Sequence, residues 1–208
     1  MFGGELLMVS KLVFERSDCV DSLWEEPVDL FVLAGQSNMQ GSRGDARHYP
    51  VDKKKLDAQI GFYWVAPGLS SSGGEWKHLQ PQGGIFPQGH FGPEITFARE
   101  LVQAGLRPVI FKYSAGSSSL VENRRAPGRQ GMYDDMVKEL QKAITLQEKA
   151  GNKVTVRALV WIQGESDSQT DEMAMNYYNR LEDMINDFRE NVIKIPSYPL
   201  FWGLMTNA

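Results

Sequence analysis

The sequence is poor in cysteine, in long apolar runs and in excess positive charge. Its 208 residues include a single cysteine, Cys19, which excludes an intrachain disulfide and a cysteine-built metal site. No apolar run reaches the length of about 20 residues that a membrane-spanning helix needs. The formal net charge of −4 argues against a general nucleic-acid binder, because such domains carry a surplus of basic residues. We therefore expect neither a membrane nor a nucleic acid as a partner.

The N-terminus also lacks the pattern of a secretory leader, which is a basic segment, an apolar segment and a small-residue cleavage site. A cytoplasmic location is the default expectation, and a secreted one follows if a leader has been removed. Residues 1–27 are predicted to be an N-terminal extension. Residues 28–208 are long enough for one sizeable core, so we expect a single domain there.

Strands and helices alternate along this domain. Continuous apolar runs predict five strands, at 28–34, 58–65, 108–114, 154–162 and 198–205. Apolar residues at helical spacing predict three helices, at 92–105, 132–150 and 171–193. Such alternation is typical of an α/β fold with a parallel sheet, right-handed crossovers and helices on both faces.

Three polar motifs stand directly after predicted strands. They are GQSNMQG at 35–41, SAGSSS at 114–119 and IQGESD at 162–167. Open parallel sheets bind ligands outside the carboxyl ends of their strands, so all three motifs fall at the predicted functional edge.

Each motif also has a purely structural interpretation. Ser37 or Asn38 could cap a helix after the first strand, and Ser168 or Thr170 could cap the helix after the fourth. The segment 115–119 could be a flexible loop. The joint placement of the three motifs favours a site over these alternatives.

Several other chemistries do not fit the first motif. It has no lysine for a nucleotide phosphate, and no G-x-G-x-x-G follows any predicted strand. It also differs from the G-x-S-x-G nucleophile elbow, because Met39 replaces the second glycine. His48, His78 and His90 show no metal-ligand spacing, so neither a metal nor another cofactor is expected.

Four segments together resemble a known family. They are FVLAGQSNMQG, FGPEITFARELVQAG, VIFKYSAGSSSL and ALVWIQGESD. They resemble the sialate O-acetylesterase-like group of the SGNH-hydrolase superfamily, which includes the family 6 carbohydrate esterases. Over residues 28–205 the resemblance implies a flavodoxin-like three-layer α/β/α sandwich with a central five-stranded parallel sheet. It also implies metal-independent hydrolysis of acetyl esters, with an acetylated carbohydrate of sialate or xylan type as the partner.

The resemblance also suggests roles for individual residues. Ser37 corresponds to the nucleophile, and its backbone N–H contributes to the oxyanion hole together with that of Gly116. Gln163 stands where the superfamily usually has an asparagine, and its side-chain amide can serve as the third donor because both residue types carry an NH₂ group. Three neighbours are expected to support these residues: Gln36, Asn38 and Glu165. Contacts to the sugar are considered for Trp76, Phe86, Arg124, Arg125 and Arg129, although each also fits a solvated loop residue.

The general base is the one part of this implied mechanism that the motifs do not identify. The resemblance implies a histidine in a D-x-x-H motif after the fifth strand, and this chain carries no such motif there. His48 and His90 do not match the position of that base, so no catalytic aspartate–histidine pair is assigned. Three explanations stay open: the chain is truncated and lacks its C-terminal part, the base comes from another chain or an unusual residue, or the protein is an inactive carbohydrate-binding or scaffold module. Truncation would leave a sheet face near the fifth strand uncovered and prone to self-association.

Overall fold

The computed structural model describes residues 27–124 and 126–194, together with the backbone of residues 200–203. The predicted N-terminal extension lies outside this part of the chain except for Pro27. Arg125, the ends of the predicted strand 198–205 and all of its side chains also lie outside it. The predicted uncovered sheet face near that strand therefore stays a prediction.

Seven strands and four α-helices make up the described chain. The strands are β1 (Val28–Gly35), β2 (Gly61–Ala66), β3 (Ser70–Ser71), β4 (Lys77–His78), β5 (Pro108–Ser114), β6 (Val154–Ile162) and β7 (Leu200–Gly203). The helices are α1 (Ser37–Gln40), α2 (Glu94–Gln103), α3 (Met132–Lys149) and α4 (Asp171–Asp187). Short 3₁₀ turns lie at Ala46–His48 and Lys54–Gln59, and π-helical turns at Leu120–Arg124 and Phe188–Val192.

The strands form one sheet in the order β3-β2-β5-β1-β6-β7, with β4 also paired to β2. The five longer strands run parallel, whereas β3 and β4 run antiparallel to β2. The predicted five-stranded parallel sheet is thus confirmed. The two short strands were not predicted, because they lie in a polar loop without an apolar run.

Helices cover both faces of the sheet and give the predicted three layers. On one face, α3 and α4 pack against the side chains of alternate β1 residues, including Leu30 and Val32. On the other face, α2 and Met39 of α1 pack against Phe31 and Leu33. Because β1 has core on both sides, all eight of its residues are buried, as a central parallel strand requires.

The structure shifts several predicted boundaries. Residues 58–60 do not belong to β2, since Ala58 and Gln59 end a 3₁₀ turn. The last predicted helix changes at Phe188 from α-helical to π-helical geometry. Thr170, one of the two predicted caps, does cap α4, because its hydroxyl accepts a hydrogen bond from the backbone N–H of Met173 at 3.2 Å.

A β-bulge interrupts the pairing of β1 with β6. Leu30 lies opposite Val156 and Phe31 lies opposite Ala158, so Arg157 is the extra residue of β6 in the strand register. The Nε of Arg157 donates a hydrogen bond to Asp29 at 2.6 Å. Since neighbouring side chains of a strand alternate between faces, this extra residue reverses the alternation of β6 at that point.

None of the helices within the described ranges is both long and apolar enough to cross a membrane.

Candidate active site

The three polar motifs begin at the same level of the sheet. Gly35, the last residue of β1, lies opposite Ser114 of β5 on one side and opposite Ile162 of β6 on the other. Adjacent strands lie about 4.8 Å apart. The loops that start at residues 36, 115 and 163 therefore leave three neighbouring strands side by side.

Ser37 is the first residue of α1 and is half-buried. Its hydroxyl makes no hydrogen bond to any described residue. The residue in the capping position is Gln36, and it makes no side-chain cap. The structural alternative, in which Ser37 or Asn38 caps this helix, is thus wrong. The buried side chain of Met39 anchors the turn on the core instead.

The two carboxamides on either side of Ser37 both bind the loop after β6. The Oε1 atom of Gln36 accepts hydrogen bonds from the backbone N–H groups of Gly164 and Ser166, at 3.5 and 3.3 Å. The amide of Asn38 donates a short hydrogen bond to the carboxylate of Glu165. These contacts fix the Ser37 turn against the loop.

Gln163 is buried at the start of this loop, and its amide nitrogen already has two acceptors. The Nε2 atom lies 2.5 Å from a carboxylate oxygen of Asp167 and 3.0 Å from the carbonyl oxygen of Ser118. The backbone carbonyl of Gln163 accepts a hydrogen bond from the hydroxyl of Tyr177 at 2.7 Å. Both N–H donors are engaged, so a third partner would have to share one of them.

Asp167 is a site residue that the sequence analysis missed. It is buried and accepts the backbone N–H of Leu120 at 3.0 Å as well as the amide of Gln163. It thereby links the loop after β5 to the loop after β6. The sequence does show an aspartate at this position in the polar motif after the fourth predicted strand. That observation alone is ambiguous, because an aspartate in a polar loop is more often exposed than buried.

Gly116 follows β5 by two residues and is exposed, with Gln40 of α1 beside it. A Cβ atom at Gly116 would lie 3.1 Å from the side-chain oxygen of Gln40. The backbone carbonyl of Gln40 in turn accepts a hydrogen bond from the ammonium of Lys112 at 3.2 Å. Gly116 is therefore next to the helix that begins with Ser37.

One of the residues considered for sugar contacts lies in the interior instead. Arg124 is 1% exposed and stacks on the ring of Trp161, so it is closed to a sugar at the surface and that expectation is wrong. The indole N–H of Trp76 donates to the backbone carbonyl of Ala143 at 2.9 Å, and the ring packs against the core. Trp76 is half-buried, so its contact with a sugar stays a prediction.

Of the other residues considered for sugar contacts, Phe86 and Arg129 are described and are partly or fully exposed. Phe86 is half-buried, in the ordered loop between β4 and α2. Arg129 lines an open cleft of about 400 Å³ together with Leu120, Val121 and Arg180.

None of the three histidines makes a hydrogen bond to Ser37 in the described structure. His48 and His78 are exposed, and His90 is fully buried. A D-x-x-H sequence does occur at residues 45–48, far from the position that the resemblance implies. There the carboxylate of Asp45 binds Arg47 rather than His48, and no hydrogen bond joins His48 to Ser37.

The fold and the strand-end loops define an α/β protein whose candidate site lies at the carboxyl edge of a parallel sheet. Residues 27–207 match the carbohydrate esterase family described as sialic acid-specific acetylesterase, and the chain belongs to that family.

Three solved structures share the fold. The chain is similar to a protein of Arabidopsis thaliana, with 23% identity, a TM-score of 0.60 and coverage of 85% of this chain and 74% of that one. It is similar to a carbohydrate acetylesterase from Xanthomonas citri, with 24% identity, a TM-score of 0.55 and coverage of 84% and 41%. It is also similar to NanS, with 19% identity, a TM-score of 0.52 and coverage of 86% and 68%. None of the curated proteins matches the chain significantly.

Proposed function

We propose that this carbohydrate esterase removes O-acetyl groups from a sugar through an acetyl-enzyme intermediate on Ser37. The observation that carries the proposal is the setting of Ser37. Its hydroxyl has no hydrogen-bond partner among the described residues, and its two neighbours are tied to the loop after β6. A nucleophilic hydroxyl must be open to the ester and to a base, and its backbone must hold it in place.

The reaction would begin when the Ser37 oxygen attacks the ester carbonyl and its proton passes to a base. The negative charge of the tetrahedral intermediate would be stabilised by the backbone N–H groups of Ser37 and Gly116. Gln163 would be the third donor, sharing a hydrogen that now points to Ser118 or Asp167. Loss of one such donor typically costs about 3–4 kcal/mol of transition-state stabilisation. The sugar hydroxyl would leave with a proton, and water would release acetate from Ser37.

The base is the part of this mechanism that the described residues do not provide. A neutral serine hydroxyl is a weak nucleophile without one. In this proposal the base comes from another chain or from a residue that makes no hydrogen bond to Ser37 in this structure. Supplying a segment with a D-x-x-H motif, fused after residue 208, should then raise the activity.

A fluorophosphonate probe tests the nucleophile directly. We expect labelling of the wild-type protein, none of Ser37→Ala, and normal labelling of Ser42→Ala, a control five residues along the same loop. Release of acetate from O-acetylated sialic acid and from acetylated xylo-oligosaccharides then distinguishes the two substrate types. Equal labelling of Ser37→Ala and the wild type would contradict the proposal.

The second candidate function is an inactive carbohydrate-binding module on the same fold. It is favoured because no histidine among the described residues makes a hydrogen bond to Ser37. Calorimetric titration with the same acetylated sugars separates the two functions. Binding without acetate release, together with no probe labelling between about pH 6 and 9, would identify the binding module.

A further inference from the structure

Arg124 is a buried cation that has no anionic partner among the described residues. Its guanidinium carbon lies 4.7 Å from the centre of the Trp161 ring, and its Nη2 atom donates to the carbonyl oxygen of Gly35 at 2.5 Å. The other two nitrogens, Nε and Nη1, are buried without a hydrogen-bond partner. The other fully buried arginine, Arg99, differs in this respect, because its guanidinium binds both carboxylate oxygens of Asp57 at 2.7 and 2.8 Å.

The carbonyl that Arg124 contacts belongs to the residue two positions before Ser37. The same carbonyl oxygen of Gly35 accepts the backbone N–H of Ala115 at 3.1 Å. The next N–H, that of Gln36, donates to the carbonyl of Ile162 at 3.0 Å. The peptide that leads into Ser37 is therefore held at its oxygen by the guanidinium and at its nitrogen by β6.

A buried charge without a counterion is unfavourable in the free protein. Burial lowers the pKa of Arg124 to about 10, so the group is still protonated at neutral pH. Stacking on Trp161 and one carbonyl hydrogen bond offset only part of the desolvation. The carboxylate of Asp167 acts on Arg124 only through space, since its oxygens bind Leu120 and Gln163.

A negative charge that forms near Ser37 would be the missing counterpart of this cation. The tetrahedral intermediate of ester hydrolysis is such a charge, and preorganised positive potential stabilises it most effectively where water is excluded.

We infer that Arg124 is a positioning residue that fixes the Gly35 carbonyl, two residues before Ser37, and supplies buried positive charge to the oxyanion. This inference rests on the proposed function of Ser37. It assigns to Arg124 a role in binding the intermediate and none in binding the neutral substrate.

Methylboronic acid provides a test that requires no general base. Its trigonal boron accepts the Ser37 oxygen and releases the serine proton to solvent, which gives a tetrahedral anion on the serine. Boron NMR measures the fraction of this adduct in the wild type, in Arg124→Met and in Arg99→Met. The last variant is the matched control, because it removes a buried guanidinium that contacts a different part of the fold.

We expect adduct formation to weaken about tenfold or more in Arg124→Met, since unit charges within about 10 Å at an effective dielectric of ~20 interact on that scale. Arg99→Met should form the adduct as the wild type does, even if its unfolding midpoint falls further than that of Arg124→Met. The affinity for a neutral acetylated methyl glycoside should be unchanged in both variants. If Arg124→Met does not fold, Arg124→Lys replaces it, and because it keeps the charge its adduct should stay within about threefold of the wild type.

The outcomes separate the two proposals. Equal adduct formation in Arg124→Met and the wild type, or complete loss in a folded Arg124→Lys, would overturn the role of Arg124 and leave Ser37 as the nucleophile. If the wild type forms no more adduct than Ser37→Ala, the proposed function fails, and the inference fails with it.

Discussion

Replacing Lys112 with methionine removes one member of an ion pair that is closed to solvent. The ammonium of Lys112 lies 2.5 Å from the carboxylate of Glu94, and both side chains are 0% exposed. The carboxylate also accepts hydrogen bonds from the amide of Gln82 at 3.0 Å and the backbone of Gly92 at 2.9 Å. Burial lowers the pKa of Lys112, and the charge of Glu94 opposes that shift.

The expected loss of stability is large. Methionine keeps most of the aliphatic stem, so the change is essentially the loss of the charge. Glu94 would then be a buried carboxylate with two neutral donors, and removing one partner of a buried pair costs about 3–5 kcal/mol. For a domain of this size that corresponds to a fall of roughly 10 °C in the unfolding midpoint.

Urea unfolding followed by tryptophan fluorescence at pH 7 measures this loss. The control is Lys53→Met, because Lys53 also contacts a carboxylate, that of Glu100 at 2.6 Å, but in a pair that is partly exposed. Such a pair contributes about 0–1 kcal/mol.

A double variant completes the test. Lys112→Met combined with Glu94→Gln should recover more than about 2 kcal/mol of the loss, because no unpaired charge then remains buried. The reasoning would be refuted if Lys112→Met cost no more than Lys53→Met.

Three further predictions concern other buried groups. Asp167→Ala removes the acceptor of the buried Leu120 N–H and of one of the two side-chain N–H groups of Gln163, so it should cost roughly 2–5 kcal/mol in urea unfolding; a cost below about 1 kcal/mol would contradict this link between the two loops. Burial lowers the pKa of His90 below its usual 6.5, so below that pH the unfolded chain binds a proton that the folded chain does not. Stability should therefore fall as the pH drops below 6.5, and less steeply in His90→Gln, which urea midpoints at several pH values would measure; equal slopes would argue against it. Gly35→Ala would place a Cβ atom 2.0 Å from the carbonyl oxygen at the end of β6, so it should abolish probe labelling and lower the melting temperature, and normal labelling would show that the turn tolerates a side chain.

The strands of the sheet were predictable where apolar runs end sharply. The predicted limits of β5 and β6 match the structure, because proline or polar residues bound both runs. The predicted start of β2 was wrong, because Ala58 and Gln59 end a 3₁₀ turn that begins at Lys54, and Ile60 caps that turn. The helical spacing of apolar residues in the last predicted helix was correct for Leu181, Met184 and Phe188, because the structure buries all three.

The edge at which the candidate site lies was also predictable, since the carboxyl ends of parallel strands share one side of the sheet. The partners of the site residues were not. Arg124 stands in a polar, glycine-containing stretch that is typical of a solvated loop, and only the π-helical turn at Leu120–Arg124 carries it into the interior. Asp167 contacts Leu120, which lies 47 positions earlier in the chain. Contacts over such distances leave no periodic trace in one sequence.

The bulge at Arg157 determines how the loop after β6 is aligned with the Ser37 turn after β1, although it contacts neither. Before the bulge, even-numbered residues of β6 lie opposite even-numbered residues of β1. After the bulge, they lie opposite odd-numbered residues of β1. If Arg157 instead paired with Phe31 in a regular ladder, every later residue of β6 would lie one position further along β1 and point to the opposite face. Gln163 would then be displaced from the carbonyl of Ser118 while Ser37 stayed in place. By accommodating one extra residue, the bulge keeps the loop after β6 in register with the serine that follows β1.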